Sequence, residues 1–233
     1  LAEHVVDLVR AGVVEAFPRP HDGRRDAGLP HCGRGEPGRL GDRAGPAGVV
    51  GEQPGQLRRE GRIGLRIAEW AKRAVEADGR FDIDFADLAE IALPFMDEPK
   101  SPWLRQYTRA HTIEWSERVE ASDVFLFLFP EYNYSYAPAI KNAIDYLHFE
   151  WHRKPVGFVN WGGNSGGTRA QTALRPVVGA LGMVMTKGSV EINFPQRQLN
   201  EAGEFVPNEQ QATVLQLQLD ELLGLDWALK PLR

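Results

Sequence analysis

Val124-Phe-Leu-Phe-Leu-Phe129 is a run of six apolar residues with no polar alternation. A strand with one wet face alternates, so this run marks a strand covered on both faces, as in the centre of a parallel sheet. The segments on either side fit that frame. Residues 62–77 carry Ile63, Ile67, Trp70, Ala71 and Val75 on one helical face, with Gly79 where a C-cap belongs. Residues 81–85 alternate as a strand, and the three prolines of 91–102 make a surface connection. Helices are expected over 103–121, 138–150, 168–181 and 209–223, and strands over 156–159 and 183–192. Strands alternating with helices of this length imply a doubly wound α/β sheet with right-handed crossovers. Ligands then bind beyond the carboxyl ends of the strands, so function is sought just after Phe129 and Val159.

The composition divides the chain. Residues 1–62 hold 12 of the 24 Gly and no Lys, Trp or Tyr, and the first Ser or Thr anywhere is Ser101. Between 18 and 62 stand 11 Gly, 6 Pro and 9 Arg, too little apolar surface to offset chain entropy. The boundary is placed at 62: an atypical N-terminal segment over 1–62, then a domain over 63–233. Within the first segment, residues 1–17 have a roughly helical apolar period, and a short first strand is expected near 47–51. The lack of Ser, Thr, Lys, Asn and Tyr over 1–60 also fits out-of-frame or upstream translation of a GC-rich gene.

Of 233 residues 42% are hydrophobic, enough for a sizeable core, and the net charge of −5 argues against a nucleic-acid partner. A single cysteine, Cys32, excludes an internal disulfide framework and a Cys-only metal site, and suits a reducing compartment. No apolar run reaches the length of a membrane-spanning helix. The expectation is a cytoplasmic protein with no membrane partner and no metal.

Two loops carry the candidate chemistry. Pro130-Glu-Tyr-Asn-Tyr-Ser-Tyr136 follows the apolar strand and leads into a helix. Its Tyr rings offer flat faces and its Asn paired donor and acceptor edges, which suits a planar heterocycle; tyrosines packed in a well-capped loop are the alternative. Asn160-Trp-Gly-Gly-Asn-Ser-Gly-Gly167 follows the next strand, and its four glycines let backbone amides approach a ligand, or simply turn the chain. Both loops open on one rim. Lys141 and Asp145 read as an i,i+4 ion pair, and His111 and Trp115 as packing on one helical face.

With these residues in hand, the chain resembles the NAD(P)H-dependent FMN reductases, a family that includes quinone, azo-dye and chromate reductases. The resemblance rests on Pro130-Glu131-Tyr132-Asn133, Ser135 and Lys141-Asn142-Ala143-Ile144-Asp145 at fixed offsets. Gly61-Arg62-Ile63-Gly64, Leu93-Pro94, Asp97-Glu-Pro99, residues 111–116, Lys154-Pro155-Val156 and the 162–167 glycines add to it. It implies a flavodoxin-like fold with five parallel strands in the order 2-1-3-4-5. It also implies FMN as cofactor and NAD(P)H as co-substrate, with a small-molecule electron acceptor. Pro130, Glu131, Tyr132, Asn133 and Ser135 would border the flavin; Gly162, Gly163, Asn164, Ser165 and Gly166 would approach the isoalloxazine and nicotinamide. No catalytic side chain is needed, because the flavin carries the electron chemistry. A homodimer or homotetramer is implied, with His148, Phe149 and Trp151 near the subunit contact.

The sequence departs from the family at the phosphate loop. In place of a Gly-Ser-Thr-Arg-type turn stand residues 51–60, with neither Ser nor Thr. Arg59 and Arg62 are the candidates to meet the phosphate, with solvated loop charges the plain alternative. Two other readings stay open on the sequence: an FMN electron carrier that binds no NAD(P)H, and a flavin-less protein that has lost this loop.

Overall fold

In the computed structural model, which describes residues 7–10 and 62–233, the apolar run forms the middle of β3 (Val124–Tyr132). Its side chains alternate between two cores. Val124, Leu126 and Leu128 join one hydrophobic cluster; Phe125, Phe127 and Phe129 join the other, and all six are at most 1% exposed. Burying each such side chain stabilises the fold by about 1.5–3 kcal/mol, so both faces must stay apolar. The first cluster is closed by α1 (Ile63–Asp78) and α6 (Glu209–Leu229), the second by α3 (Ala110–Glu120), α4 (Pro138–Asp145) and α5 (Thr168–Ala180).

β3 pairs in parallel with β5 (Pro155–Gly162), and β5 in parallel with two short edge strands, β6 (Val184–Met185) and β7 (Val190–Asn193). On its other side β3 meets β1 (Asp7–Arg10), which in turn meets β2 (Asp82–Asp84). This is the 2-1-3-4-5 arrangement with its last position split. β1, however, runs antiparallel to both neighbours, so the sheet is mixed rather than wholly parallel. Residues 7–10 are also not helical as their period suggests. Between β2 and β3 a strand satisfies two inner edges whose backbone groups would otherwise be buried unpaired, and that requirement overrides a weak helical period. The expected strand near 47–51 lies outside the described residues.

Other differences have local causes. The helix expected from 103 begins at Ala110, because the Glu98 carboxylate accepts the N–H groups of Thr108 (3.0 Å) and Arg109 (2.9 Å) and fixes the chain there. α4 stops at Asp145 rather than 150. Glu150, fully buried in a 3₁₀ turn, accepts hydrogen bonds from Tyr107 Oη (2.9 Å) and Ser116 Oγ (2.8 Å), which pulls the chain out of the helix. Trp151 follows it inward against Trp115, Phe125 and Phe127, so it packs in the core and not at a surface. The expected strand 183–192 is interrupted where Lys187 N–H turns to the Glu221 carboxylate (2.9 Å). α6 runs six residues further than expected, launched by a reciprocal cap between Asn208 and Gln211.

Lys154, just before β5, is buried and donates to the last carbonyls of α3, Val119 (2.8 Å) and Glu120 (3.0 Å). Burial pulls its ammonium from an ordinary 10.5 down to about 8. Between these two values the native amine is neutral while the unfolded one is charged, so the unfolded state holds more protons and stability rises with pH. The expected gain from this group between pH 8 and 10.5 is roughly 3 kcal/mol. It is read as the difference in unfolding free energy between wild type and Lys154→Met across that range; parallel curves would refute it.

Candidate active site

β3 and β5 end side by side, with Phe129 opposite Asn160 and Pro130 opposite Trp161. The two loops read from the sequence therefore emerge together at the carboxyl rim, beside the point where strand order reverses. Glu131 and Tyr132 continue β3 and pair with β4 (Ser135–Tyr136) in a tight hairpin. Its two turn residues, Asn133 and Tyr134, both adopt left-handed backbone (φ 47° and 71°), as a two-residue hairpin turn of the primed type requires. Both are exposed on the rim.

The second loop is built from its carbonyls inward. Phe194 N–H donates to Gly162 O (2.8 Å), Asn193 Nδ2 to Asn164 O (2.8 Å), and the buried Asn160 Nδ2 to Gly166 O (2.9 Å). Gly167 stands at φ 92°, and a Cβ there would lie 2.7 Å from Trp161 N. Gly166 is also left-handed, at φ 61°. With the carbonyls held, the consecutive N–H groups of Gly163, Asn164 and Ser165 donate to no acceptor among the described residues. Gly163 and Asn164 are exposed, so this stretch presents an open row of donors.

Glu131 ties the two loops together. Its side chain is 7% exposed and accepts from Ser165 Oγ (2.6 Å), Arg169 N–H (3.1 Å) and Arg169 Nη1 (3.0 Å). The Arg169 guanidinium also lies 4.0 Å over the Tyr134 ring. Glu131 thus faces its neighbouring loop, while Tyr132 and Ser135 are half-buried where they flank the hairpin turn.

At the far side of the same rim, Arg62 stands at the N-terminus of α1 and forks onto Asp87, just past the end of β2. The Asp87 carboxylate also caps Ala89 N–H (2.9 Å) at the start of α2 (Leu88–Ile91). Arg59 lies outside the described residues. Lys141 and Asp145 form the expected ion pair. Trp115 is in the core with Nε1 on Ala143 O (2.9 Å), whereas His111 is half-buried against Asp97 (2.9 Å). Asp97 in turn accepts from Tyr146 Oη (3.2 Å), whose phenol burial pushes up to about 12.

Sequence reasoning missed Arg169, Asn193 and the structural weight of Asn160. Arg169 had one legible signal: it is the sole cation in the first turn after the glycine loop.

The arrangement offers a rim of backbone donors, amide side chains and one aromatic face, with no general base aimed into it among the described residues, as suits a bound planar cofactor. The model of the NADPH-dependent FMN reductase family matches residues 55–196. An NAD(P)H-dependent FMN reductase of Schizosaccharomyces pombe is 34% identical over 140 residues, 59% of this chain and 70% of that one. A probable NADPH:quinone oxidoreductase of Oryza sativa is 45% identical over 64 residues, 26% of this chain and 32% of its own length. The flavoenzyme FerB, an NAD(P)H:(acceptor) oxidoreductase of Paracoccus denitrificans, shares the fold with a TM-score of 0.59 at 23% identity, covering 74% of this chain and 93% of that one. With a family model spanning more than half its length and the motif loops folded onto one rim, the chain belongs to the NADPH-dependent FMN reductase family.

Proposed function

We propose that this rim holds FMN and that the protein is an NAD(P)H-dependent flavin oxidoreductase acting on a small acceptor of the quinone class. The observation that carries the reading is the pair of latched loops, one offering three N–H groups unclaimed among the described residues and the other an exposed Asn133 and Tyr134. These residues fit an isoalloxazine: its carbonyls and ring nitrogens need donors along one edge, and its face needs glycine clearance and aromatic neighbours. Bound there, FMN would supply the two-electron chemistry that links hydride loss from the nicotinamide to reduction of the second substrate. The chain's own part is placement. Gly163, Asn164 and Ser165 would donate to the ring edge; Pro130, Tyr132, Asn133 and Ser135 would border it; Glu131 fixes the spacing of the two loops; Gly162 and Gly166 let the loop close on itself, since a Cβ there would lie 3.1 Å from Gly167 N and 3.2 Å from Asn193 Oδ1. Arg59 and Arg62 serve the phosphate end, in support of which Arg62 sits at the N-terminus of a 16-residue helix on this rim.

The division at residue 62 into an N-terminal segment and a 63–233 domain is one of composition in this reading, since Asp7–Arg10 lies between β2 and β3 in the domain's own sheet. Cytoplasmic placement is supported by the single cysteine and by the absence, among the described residues, of a helix long and apolar enough to cross a membrane. A homodimer, or a homotetramer of two such dimers, is supported by the exposed Trp103, whose ring stacks 4.4 Å from the half-buried His148 and 5.0 Å from the half-buried Phe149.

The purified protein is expected to be yellow or to become so on reconstitution, and to oxidise NAD(P)H rapidly when a quinone is present. FMN at about a hundred times its dissociation constant stabilises by roughly 2.7 kcal/mol, a rise in melting temperature of about 5–10 °C. A colourless protein whose melting is unmoved by FMN sinks the proposal. Bound flavin without NAD(P)H oxidation makes the protein an electron carrier instead, and a sedimentation profile of monomer alone removes the dimer.

A further inference from the structure

Tyr134 is in a costly place. Left-handed backbone is tolerated by Asn133 but disfavoured for a bulky aromatic residue, and at 70% exposure the ring gains little from packing in the interior. Such a conformation persists only where the surroundings hold it. The hairpin turn imposes it and Arg169 braces it: the guanidinium covers one face of the ring at 4.0 Å while its Nη1 and the Arg169 N–H are pinned by the Glu131 carboxylate at 3.0 and 3.1 Å. The planar, forked cation can stack and bridge at once, which an ammonium cannot. One face of Tyr134 is thus occupied by Arg169, and the exposed ring is tied through Arg169 and Glu131 to Ser165 of the glycine loop.

We propose that Arg169 is a positioning residue that holds Tyr134 at the mouth of the site as the platform on which a flat quinone-class acceptor stacks. The inference rests on the flavin-oxidoreductase reading above and extends it to the second substrate. An aromatic ring fixed by a cation on one face presents its other face to a planar ligand at low entropic cost.

The test uses the full chain with FMN and a naphthoquinone as the varied acceptor, in wild type, Arg169→Met, Arg169→Lys, Tyr134→Leu and the Arg169→Met/Tyr134→Leu double variant. Each single change is expected to raise the quinone KM roughly fivefold, the size of one lost stacking contact, with a smaller change in kcat. Lysine at 169 does not restore it, and the double variant is no worse than Tyr134→Leu. Hydrogen exchange of the protein alone gives a second readout: the amides of residues 134–136 exchange roughly tenfold faster in Arg169→Met, since the hairpin is freed to relax. The proposal is overturned if the KM effects of the two single changes multiply in the double variant, if Arg169→Lys behaves as wild type, or if hairpin exchange is unchanged. Wild type that neither binds flavin nor oxidises NAD(P)H defeats the functional reading instead, and the exchange measurement still judges the clasp on its own.

Discussion

Replacing Gly167 by alanine lowers the melting temperature by roughly 10 °C and abolishes tight FMN binding. Two separate penalties act at this position. The backbone at φ 92° is one that L-residues rarely adopt, costing about 1–3 kcal/mol for a residue with a Cβ. The added methyl would then lie 2.7 Å from Trp161 N and 2.8 Å from Asn160 Cβ and Nδ2. The first of these atoms is strand backbone and cannot step aside, so overpacking adds about 1–3 kcal/mol. A sum near 4 kcal/mol, at about 2–4 °C per kcal/mol for a chain of this size, sets the expected shift. Relief comes only by moving the loop, which breaks the Asn160 bond to Gly166 O and scatters the row of donors above it. Gly179 is the control: it is exposed in α5, with ordinary backbone and nothing within 4 Å of a built Cβ. Alanine there should stabilise by about 0.5–1 kcal/mol through helix propensity, with flavin binding untouched. Calorimetry and flavin titration of both variants decide the matter; a Gly167→Ala protein that melts and binds as wild type removes the loop from the site.

What the sequence made legible follows from how local each signal is. The run 124–129 needed no partner to be read, because a strand apolar on both edges of its pleat has one environment that suits it, and both of its faces are indeed buried. The two rim loops were legible for the same reason, since each follows directly from a strand end. Signals that depend on a distant partner were not. Asp7–Arg10 enters the sheet because β2 and β3 leave a slot, and nothing within those four residues announces it. The start of α3 is set by Glu98 and the end of α4 by the partners of a buried Glu150, residues 10 or more positions away. Arg169 belongs to this class too: its role appears only when Glu131, 38 positions earlier, is folded against it. Spacing identified the motif residues, and three-dimensional pairing was required to show that Glu131 spends its carboxylate on the neighbouring loop.

That pairing makes Glu131→Ala the most informative change in the 130–137 loop. Three donors lose their acceptor at once: Ser165 Oγ, Arg169 N–H and the Arg169 guanidinium. The guanidinium is 43% exposed and rehydrates readily, so the ion pair itself contributes no more than about 1 kcal/mol. The exposed Arg169 N–H can turn to water, but the Ser165 hydroxyl is part-buried, and leaving it unmatched costs about 1–3 kcal/mol. A total near 3 kcal/mol should show as a fall in melting temperature of roughly 6–12 °C. The functional loss is larger in kind, because the residue sets the distance between two loops that must grip one planar ligand. Loosening by even a small shift removes edge donors and clearance together, and FMN affinity is expected to fall roughly 10–100-fold, equivalent to about 1.4–2.8 kcal/mol. Glu131→Gln separates charge from acceptor: its amide oxygen still receives Ser165 Oγ, so it should lose less than half of the stability that alanine loses. Flavin fluorescence titration alongside thermal melts reads both quantities. If Glu131→Ala binds FMN as tightly as wild type, the two loops are held apart by something other than this carboxylate, and its place at the rim is a matter of folding alone.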